Sequence, residues 1–283
     1  MTHGRLTTIL LALAAALLLT LGAAGCGDDD DDDGGGGGTD TAAAELDLIK
    51  DGTLTVASDI PFPPFEQGDP PDYEGFDIDL INEVAVRLEL DTQIKDLPFD
   101  VLLQGRGGSR YDVAIAATTI TPGRERKIDF SDPYFNAEQS LLVRADGDIR
   151  SIDDVTSDTI IGAQDGTTGE TYATENTDAD VRPFQEIDDA YQALENGQVD
   201  AVLNDLPSTE SVAEDNPDLE VVETFDTMEE YGIIFGQDQD ALREQINGAL
   251  QEIKDDGTLD ELYRTWFDKD APPSLLTATH EPE

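Results

Sequence analysis

The order of strand and helix signals, met twice along the chain, most restricts its fold. In the first pass residues 53–57 read as a strand, and a helix follows from Asp77 with Ile78, Ile81, Ala85 and Leu88 at helical spacing. A short strand at 93–95, a helix opening at Phe99 and ended by the glycines at 105, 107 and 108, and a buried strand at 112–116 complete it. The second pass runs through a strand at 159–162, a helix opening at Gly166-Thr167-Thr168-Gly169, a helix over 187–194 and a buried strand at 199–203. Alternating elements with short connections predict an α/β fold with mostly parallel sheets. Their repetition predicts two similar lobes. A strand at 231–235 and helices over 241–253 and 259–267 close the pattern, whereas the prolines of 60–65 force a loop.

Both buried strands run into polar turns, and one of these carries a scarce charge. Acidic residues outnumber basic ones 64 to 16, for a net charge of −48. Such a surface argues against nucleic acid and anionic membrane as partners. It also suits a salty habitat, where dense carboxylates keep a protein soluble. Against that background Arg124 follows Thr119 in the turn after 112–116, where hydroxyls, backbone donors and a guanidinium fork can hold a small anion. By itself Arg124 could equally pair with Glu125 or Asp129 at the surface.

The beginning of the chain has the layout of an export signal. Arg5 precedes an apolar run from Ile9 to Leu21, small residues follow, and residues 1–25 read as a signal peptide. Ala23-Ala24-Gly25-Cys26 resembles a bacterial lipobox, with Ala23 where that pattern prefers Leu, and marks Cys26 as the lipidated first residue of the mature chain. Cys26 is the only cysteine, so no disulfide is available. Residues 26–45 hold an aspartate run and a glycine run, which read as a flexible tether. Consecutive aspartates lack the spacing of a calcium loop. The folded part is expected to end near Asp270, leaving 271–283 as a polar tail.

The segment Gly75-Phe76-Asp77-Ile78-Asp79-Leu80-Ile81-Asn82-Glu83-Val84-Ala85-Val86-Arg87-Leu88 resembles the signature of the family 3 extracellular solute-binding proteins, the amino-acid receptors of ABC importers. The resemblance extends through 58–66, the 119–124 turn, 165–168 and 256–259, and so over the whole expected domain. It implies a two-lobed periplasmic-binding-protein type II fold with two hinge crossovers. These fall near residues 142–143 and 232–234. Lobe 1 is then discontinuous, 46–142 and 233–270, and lobe 2 spans 146–229.

The same resemblance assigns roles in binding a free amino acid. Arg124 would take the α-carboxylate, with Thr119, Thr167 and Thr168 supplying donors at a helix start. Asp205 and the Ala117 carbonyl would accept from the α-ammonium, and Phe62 and Phe99 would clamp the side chain. Asp59 and Gln164 face that side chain, with Glu66 nearby. An acid there suits arginine, lysine, histidine or glutamine. Read without the resemblance, Phe62 and Phe99 are core, Asp205 is a helix N-cap, Thr167 and Thr168 are helix-start residues, and Asp59 holds its own loop.

The expected partners are the amino acid and an ABC transporter permease. The protein is expected to be a monomer outside the cytoplasm, tied to the membrane by lipid alone. The only histidines are His3 and His280, so histidine and cysteine catalysis in the cleft is excluded, and no metal, cofactor or catalytic residue is expected. Two alternatives remain: a receptor that reports its ligand to a membrane sensor, and a cyclohexadienyl-type dehydratase using Glu170 or Asp59 as a general acid.

Overall fold

The computed structural model describes residues 46–105 and 110–280. The signal segment, Cys26 and the tether lie outside the described residues.

Two five-stranded sheets carry the fold. The chain enters the first through β1 (Thr53–Ser58), makes a hairpin of β2 (Gln67–Asp69) and β3 (Asp72–Glu74), and turns into helix α1 (Phe76–Arg87). Gly75 starts that helix at φ 136°, and a Cβ there would sit 2.0 Å from the Phe65 carbonyl oxygen, so only glycine fits. Helix α1 buries Phe76, Ile78, Leu80, Ile81, Val84 and Ala85, and Asp77 and Asp79 complement the positive end of its dipole. Strand β4 (Asp91–Asp96), helix α2 (Phe99–Leu102), strand β5 (Val113–Ala114), helix α3 (Pro122–Glu125) and strand β6 (Asp129–Phe130) follow.

The chain then crosses to the second sheet. Strand β7 (Phe135–Arg144) leads to β8 (Ile160–Gln164), helix α4 (Thr168–Asn176), β9 (Asp180–Phe184) and helix α5 (Ile187–Glu195). Strand β10 (Ala201–Asp205), helix α6 (Leu206–Asp215) and the long strand β11 (Leu219–Tyr231) complete that half. The chain returns as β12 (Ile234–Phe235) and ends in helices α7 (Asp240–Asp255) and α8 (Thr258–Phe267).

The first sheet has the order β4-β1-β5-β12-β6 and the second β11-β7-β10-β8-β9. Strands β4, β1 and β5 are parallel, as are β9, β8 and β10. The crossing strands β7, β11 and β12 pair antiparallel, so the sheets are mixed where the sequence predicted mostly parallel ones. A strand that arrives from the other sheet has no helical crossover to reverse it, which explains the difference. The crossing points also correct the sequence. Leu142 and Val143 pair with Val202 and Ala201 inside the second sheet, and the first crossing lies between Phe130 and Phe135. The expected strand at 231–235 is two strands in different sheets, parted at Gly232 and Ile233.

An aromatic cluster fixes both crossings. Phe135, which opens β7, stacks on Tyr231, which closes β11, with ring centroids 5.3 Å apart. Phe65, Phe76, Tyr263 and Phe267 pack around that pair. Edge-to-face and offset pairs of this kind add to the large apolar area such rings bury.

The fold also extends past Asp270. Leu275 is fully buried, Lys254 donates to the Ala278 carbonyl at 3.0 Å, and the His280 amide donates to Asp132 at 2.8 Å. The His280 ring lies 2.9 Å from a Glu125 carboxylate oxygen, on the helix that carries Arg124. Ala271 and Leu275 are the apolar residues that seat this segment, and they give the stretch two anchors despite its polar composition.

Candidate functional site

The C-terminal ends of parallel strands from both sheets converge on one narrow cavity. Open α/β sheets place ligand sites at such strand ends. Asp59 and Phe62 follow β1, Phe99 opens α2, Ala116, Ala117 and Thr119 follow β5, and Arg124 lies on α3. From the second sheet come Gln164 at the end of β8, Thr167 and Thr168 at the start of α4, and Asn204 and Asp205 at the end of β10. All ten ligand residues named from the sequence line this cavity, joined by Glu66, Ala116 and Asn204.

Local backbone features aim these groups. Ala117 sits at φ 43°, in the left-handed region that costs a non-glycine residue about 1–2 kcal/mol. Its amide donates to the buried carboxylate of Asp77 at 2.8 Å, and Tyr134 donates to the same oxygen at 2.8 Å. The signature helix α1 thereby fixes the turn that brings Ala117 to the cavity. Thr167 caps α4, accepting from the Glu170 amide at 3.1 Å, while Glu170 accepts from the Gly166 amide at 2.8 Å. The first amides of that helix have no helical acceptor and favour an anion. Gly169 lets α4 close on β10, since a Cβ there would come within 2.9 Å of the Leu203 carbonyl oxygen. Asp205 stands at the N-cap of α6 without capping it; its side chain accepts from Tyr231 at 2.5 Å and from Gln139.

The two walls touch. Gln164 donates to Asp59 at 2.7 Å, and Arg124 donates to the Thr119 carbonyl at 2.7 Å and the Gly166 carbonyl at 3.2 Å. The hydroxyls of Thr119 and Thr168 lie 3.4 Å apart, and both donate to one oxygen of Glu229, at 2.6 and 2.7 Å. The Arg124 guanidinium also lies 5.3 Å from the centroid of Phe99.

The charges in the cavity are unequal. Arg124 is the only cation among the described residues that line it, against Asp59, Glu66 and Asp205. Burial lowers the Arg124 guanidinium to about 10, so it stays charged at neutral pH. Burial pushes Asp59 up to about 7 despite the bond from Gln164, and burial with the nearby Glu229 pushes Asp205 up to about 7. Glu66 is fully buried, neither of its oxygens has a hydrogen-bond partner among the described residues, and burial beside Asp77 raises it further. An acid so placed keeps its proton until a cation arrives. At one end the cavity therefore suits a small anion, and elsewhere it suits cationic groups. Among the described residues no cluster of three or more His, Cys, Asp or Glu side chains is arranged to hold a metal ion.

Sequence reasoning missed Gln139 and Glu229. Gln139 is a fully buried polar residue of β7 that stands between Glu138 and Ser140, so its neighbours in the sequence do not mark it. Glu229 does not line the cavity but accepts from Thr119 and Thr168, which do, and it follows an irregularity in β11 that no spacing rule reveals.

The description "bacterial extracellular solute-binding proteins, family 3" belongs to a family model that matches residues 54–269. The ABC transporter glutamine-binding protein GlnH of Bacillus subtilis is 33% identical over 201 residues, covering 70% of this chain and 74% of that one. The arginine-, lysine-, histidine-binding protein ArtJ of Geobacillus stearothermophilus superposes with a TM-score of 0.73 at 32% identity, covering 79% of this chain and 99% of that one. An ancestral amino-acid-binding protein described as a precursor of cyclohexadienyl dehydratase superposes with a TM-score of 0.69 at 34% identity, covering 76% and 95%.

Proposed function

The chain belongs to the bacterial extracellular solute-binding proteins, family 3, and on that premise we propose that its cleft binds a free amino acid with a cationic or amide side chain for delivery to an ABC importer. Arg124 and the first amides of α4 receive the α-carboxylate. Asp205 and the Ala117 carbonyl receive the α-ammonium. Asp59, Glu66 and Gln164 meet the end of the side chain, with its stem between Phe62 and Phe99.

One observation carries the side-chain reading. A neutral zwitterion balances Arg124 and Asp205 but leaves Asp59, bonded only to neutral donors, without a cationic partner, and Glu66 without any hydrogen-bond partner among the described residues. A guanidinium, ammonium or imidazolium supplies the missing charge, because a buried acid is stabilised only when it is paired or protonated. The glutamine-, arginine-, lysine- and histidine-binding proteins among its relatives fit the same class.

A division into two lobes at the crossings between Phe130 and Phe135 and at Gly232–Ile233, the anchoring of the mature chain through a lipid on Cys26 and its action as a monomer belong to the same proposal. An enzymatic role has less support. Glu170, one candidate acid, is held by the Gly166 amide at the helix start and does not line the cavity.

Thermal-shift measurement against the twenty amino acids tests the reading. A ligand at 100 times its Kd adds about 2.7 kcal/mol of stability. Stabilisation by arginine, lysine, histidine or glutamine is expected, and no shift with any amino acid contradicts it.

A further inference from the structure

Glu186 opens helix α5 as its N-cap residue, yet its side chain makes no capping bond. A carboxylate at a helix N-terminus is ordinarily held by the free amides and the positive end of the dipole. The Glu186 carboxyl is instead hydrogen-bonded to that of Asp59, which follows β1 on the other wall of the cleft. Neighbouring bonds bring the two together. The side-chain nitrogen of Gln164 donates to Asp59 at 2.7 Å and also to the Gln185 carbonyl at 3.2 Å, and the Gln185 side chain donates to Asp100 on α2 at 3.3 Å.

An ionised carboxylate only accepts hydrogen bonds, so two carboxyls bond to each other only when one carries a proton. The bond favours the ionised form of Glu186, which leaves the proton on Asp59. Asp59 is buried and lines the cavity, whereas Glu186 is half-buried and does not line it. The charged groups that face the pair are acids: Asp96 at the end of β4, Asp188 and Asp189 on the first turn of α5, and Glu66 beside Asp59. Burial first, and then Glu186 and Asp96, push Asp59 up to about 7 against the bond from Gln164. The pair thus has a proton to give up where a ligand's positive charge can replace it.

We propose that Glu186 is a positioning residue for the side-chain end of the cleft: it keeps a proton on Asp59 while the ligand's side chain is neutral, and a cationic side chain expels that proton. This rests on the reading of the cleft as an amino-acid site. The proton leaves the Asp59 carboxyl for solvent, and the cation is then held by ionised Asp59 with Glu186 behind it. Glu186 therefore sets how strongly the preference for a cation depends on pH. That preference is a difference between two liganded forms, so the shape of the protein without ligand drops out of it.

The test compares L-arginine with L-citrulline, which has the same length but carries a neutral urea in place of the guanidinium, by calorimetric titration at pH 6 and pH 8. Citrulline binding too weak for direct titration is read by displacement of arginine. The proteins are the intact chain, Glu186→Gln, which keeps the size but removes the charge, and Glu186→Ala. A proton lost with arginine and kept with citrulline changes the ratio of the two affinities by up to about tenfold per pH unit. In the intact chain the ratio is expected to move towards arginine by about tenfold or more from pH 6 to pH 8, and in both variants by at least about threefold less. Equal losses of both ligands at both pH values would make Glu186 merely structural and overturn the proposal. A ratio that does not move in the intact chain, or that moves as far in the variants, overturns it too. L-lysine and L-glutamine are the controls: binding of either without arginine overturns the proposal and leaves the reading of the cleft standing, whereas binding of none of the four ligands contradicts that reading.

Discussion

The side-chain amide of Gln164 donates to the carboxylate of Asp59 across the cleft at 2.7 Å, so the two walls meet at the same acid that would receive a ligand's side chain. The bond also orients Asp59, which the Phe99 backbone supports as well. Removing the charge in Asp59→Asn is therefore expected to weaken arginine or lysine about 10- to 100-fold, the weight of one hydrogen bond to a charged group. Glutamine, which brings no charge, should change by less than about threefold, well under that weight. Titration of both ligands into both proteins measures the split; equal losses would remove Asp59 from the side-chain site.

Arg124 has two duties, and substitution separates them. It spans the walls through the Thr119 and Gly166 carbonyls, and it is the only cation among the described residues lining the cavity. Arg124→Ala should lower affinity by at least about 100-fold, in keeping with a bidentate charged contact. Arg124→Lys keeps the charge without the fork and should fall between. Near-parental affinity for the alanine variant, with its melting point unchanged, contradicts the role.

The raised carboxyls give a pH dependence with a definite sign. Asp59, Asp77 and Asp205 ionise near 7 in the folded chain, chiefly through burial, and near 4 when exposed by unfolding. Between those values the folded state holds more protons, so the stability of the unliganded protein should rise as pH falls from 7 to 5. Binding of a cationic ligand runs the other way. It needs the ionised acids, so affinity should grow from pH 6 to 8, and protons should be released at pH 6.5. Calorimetry in buffers of different ionisation enthalpy detects that release; its absence would mean the acids do not face the cation.

The segment after Asp270 should matter to the site it does not line. Leu275 is buried, and His280 contacts Glu125, the neighbour of Arg124. Leu275→Ala should cost about 2–4 kcal/mol, as for other buried leucines. A chain ending at Asp270 should melt lower and bind more weakly, because α3 loses its support. Denaturant melts and titrations of the truncated chain check both; unchanged values would leave this segment without a role.

Much of this was legible in the sequence because it rests on local rules. The alternation of elements located β1, α1, β8 and α7, and the resemblance carried by the α1 segment pointed to residues now found around one cavity. The misses were of another kind. Where the chain changes sheets depends on which strands pair: the leucines of β7 look alike at a crossing or inside a sheet. The 271–280 segment looks like a solvated tail until one sees the groove that takes Leu275. Glu229 lies in β11, where no strand was expected before residue 231, and a bulge is a property of two strands that leaves no spacing in one. Glu66 was adjacent to the right residues, but its isolation from any hydrogen-bond partner is visible only in three dimensions.

The central claim is that the cleft holds an amino acid by both ends of its zwitterion, with Arg124 on the carboxylate and Asp205 on the ammonium. Calorimetric titration of the intact chain with L-arginine, its α-methyl ester and its Nα-acetyl derivative tests it most directly, with L-lysine, L-histidine and L-glutamine treated alike. The account predicts saturable one-to-one binding of at least one free amino acid and a loss of at least about 100-fold on blocking either end, consistent with a charged partner left buried and unpaired. Derivatives that bind as tightly as the free amino acid, or no binding by any of the four, would contradict it.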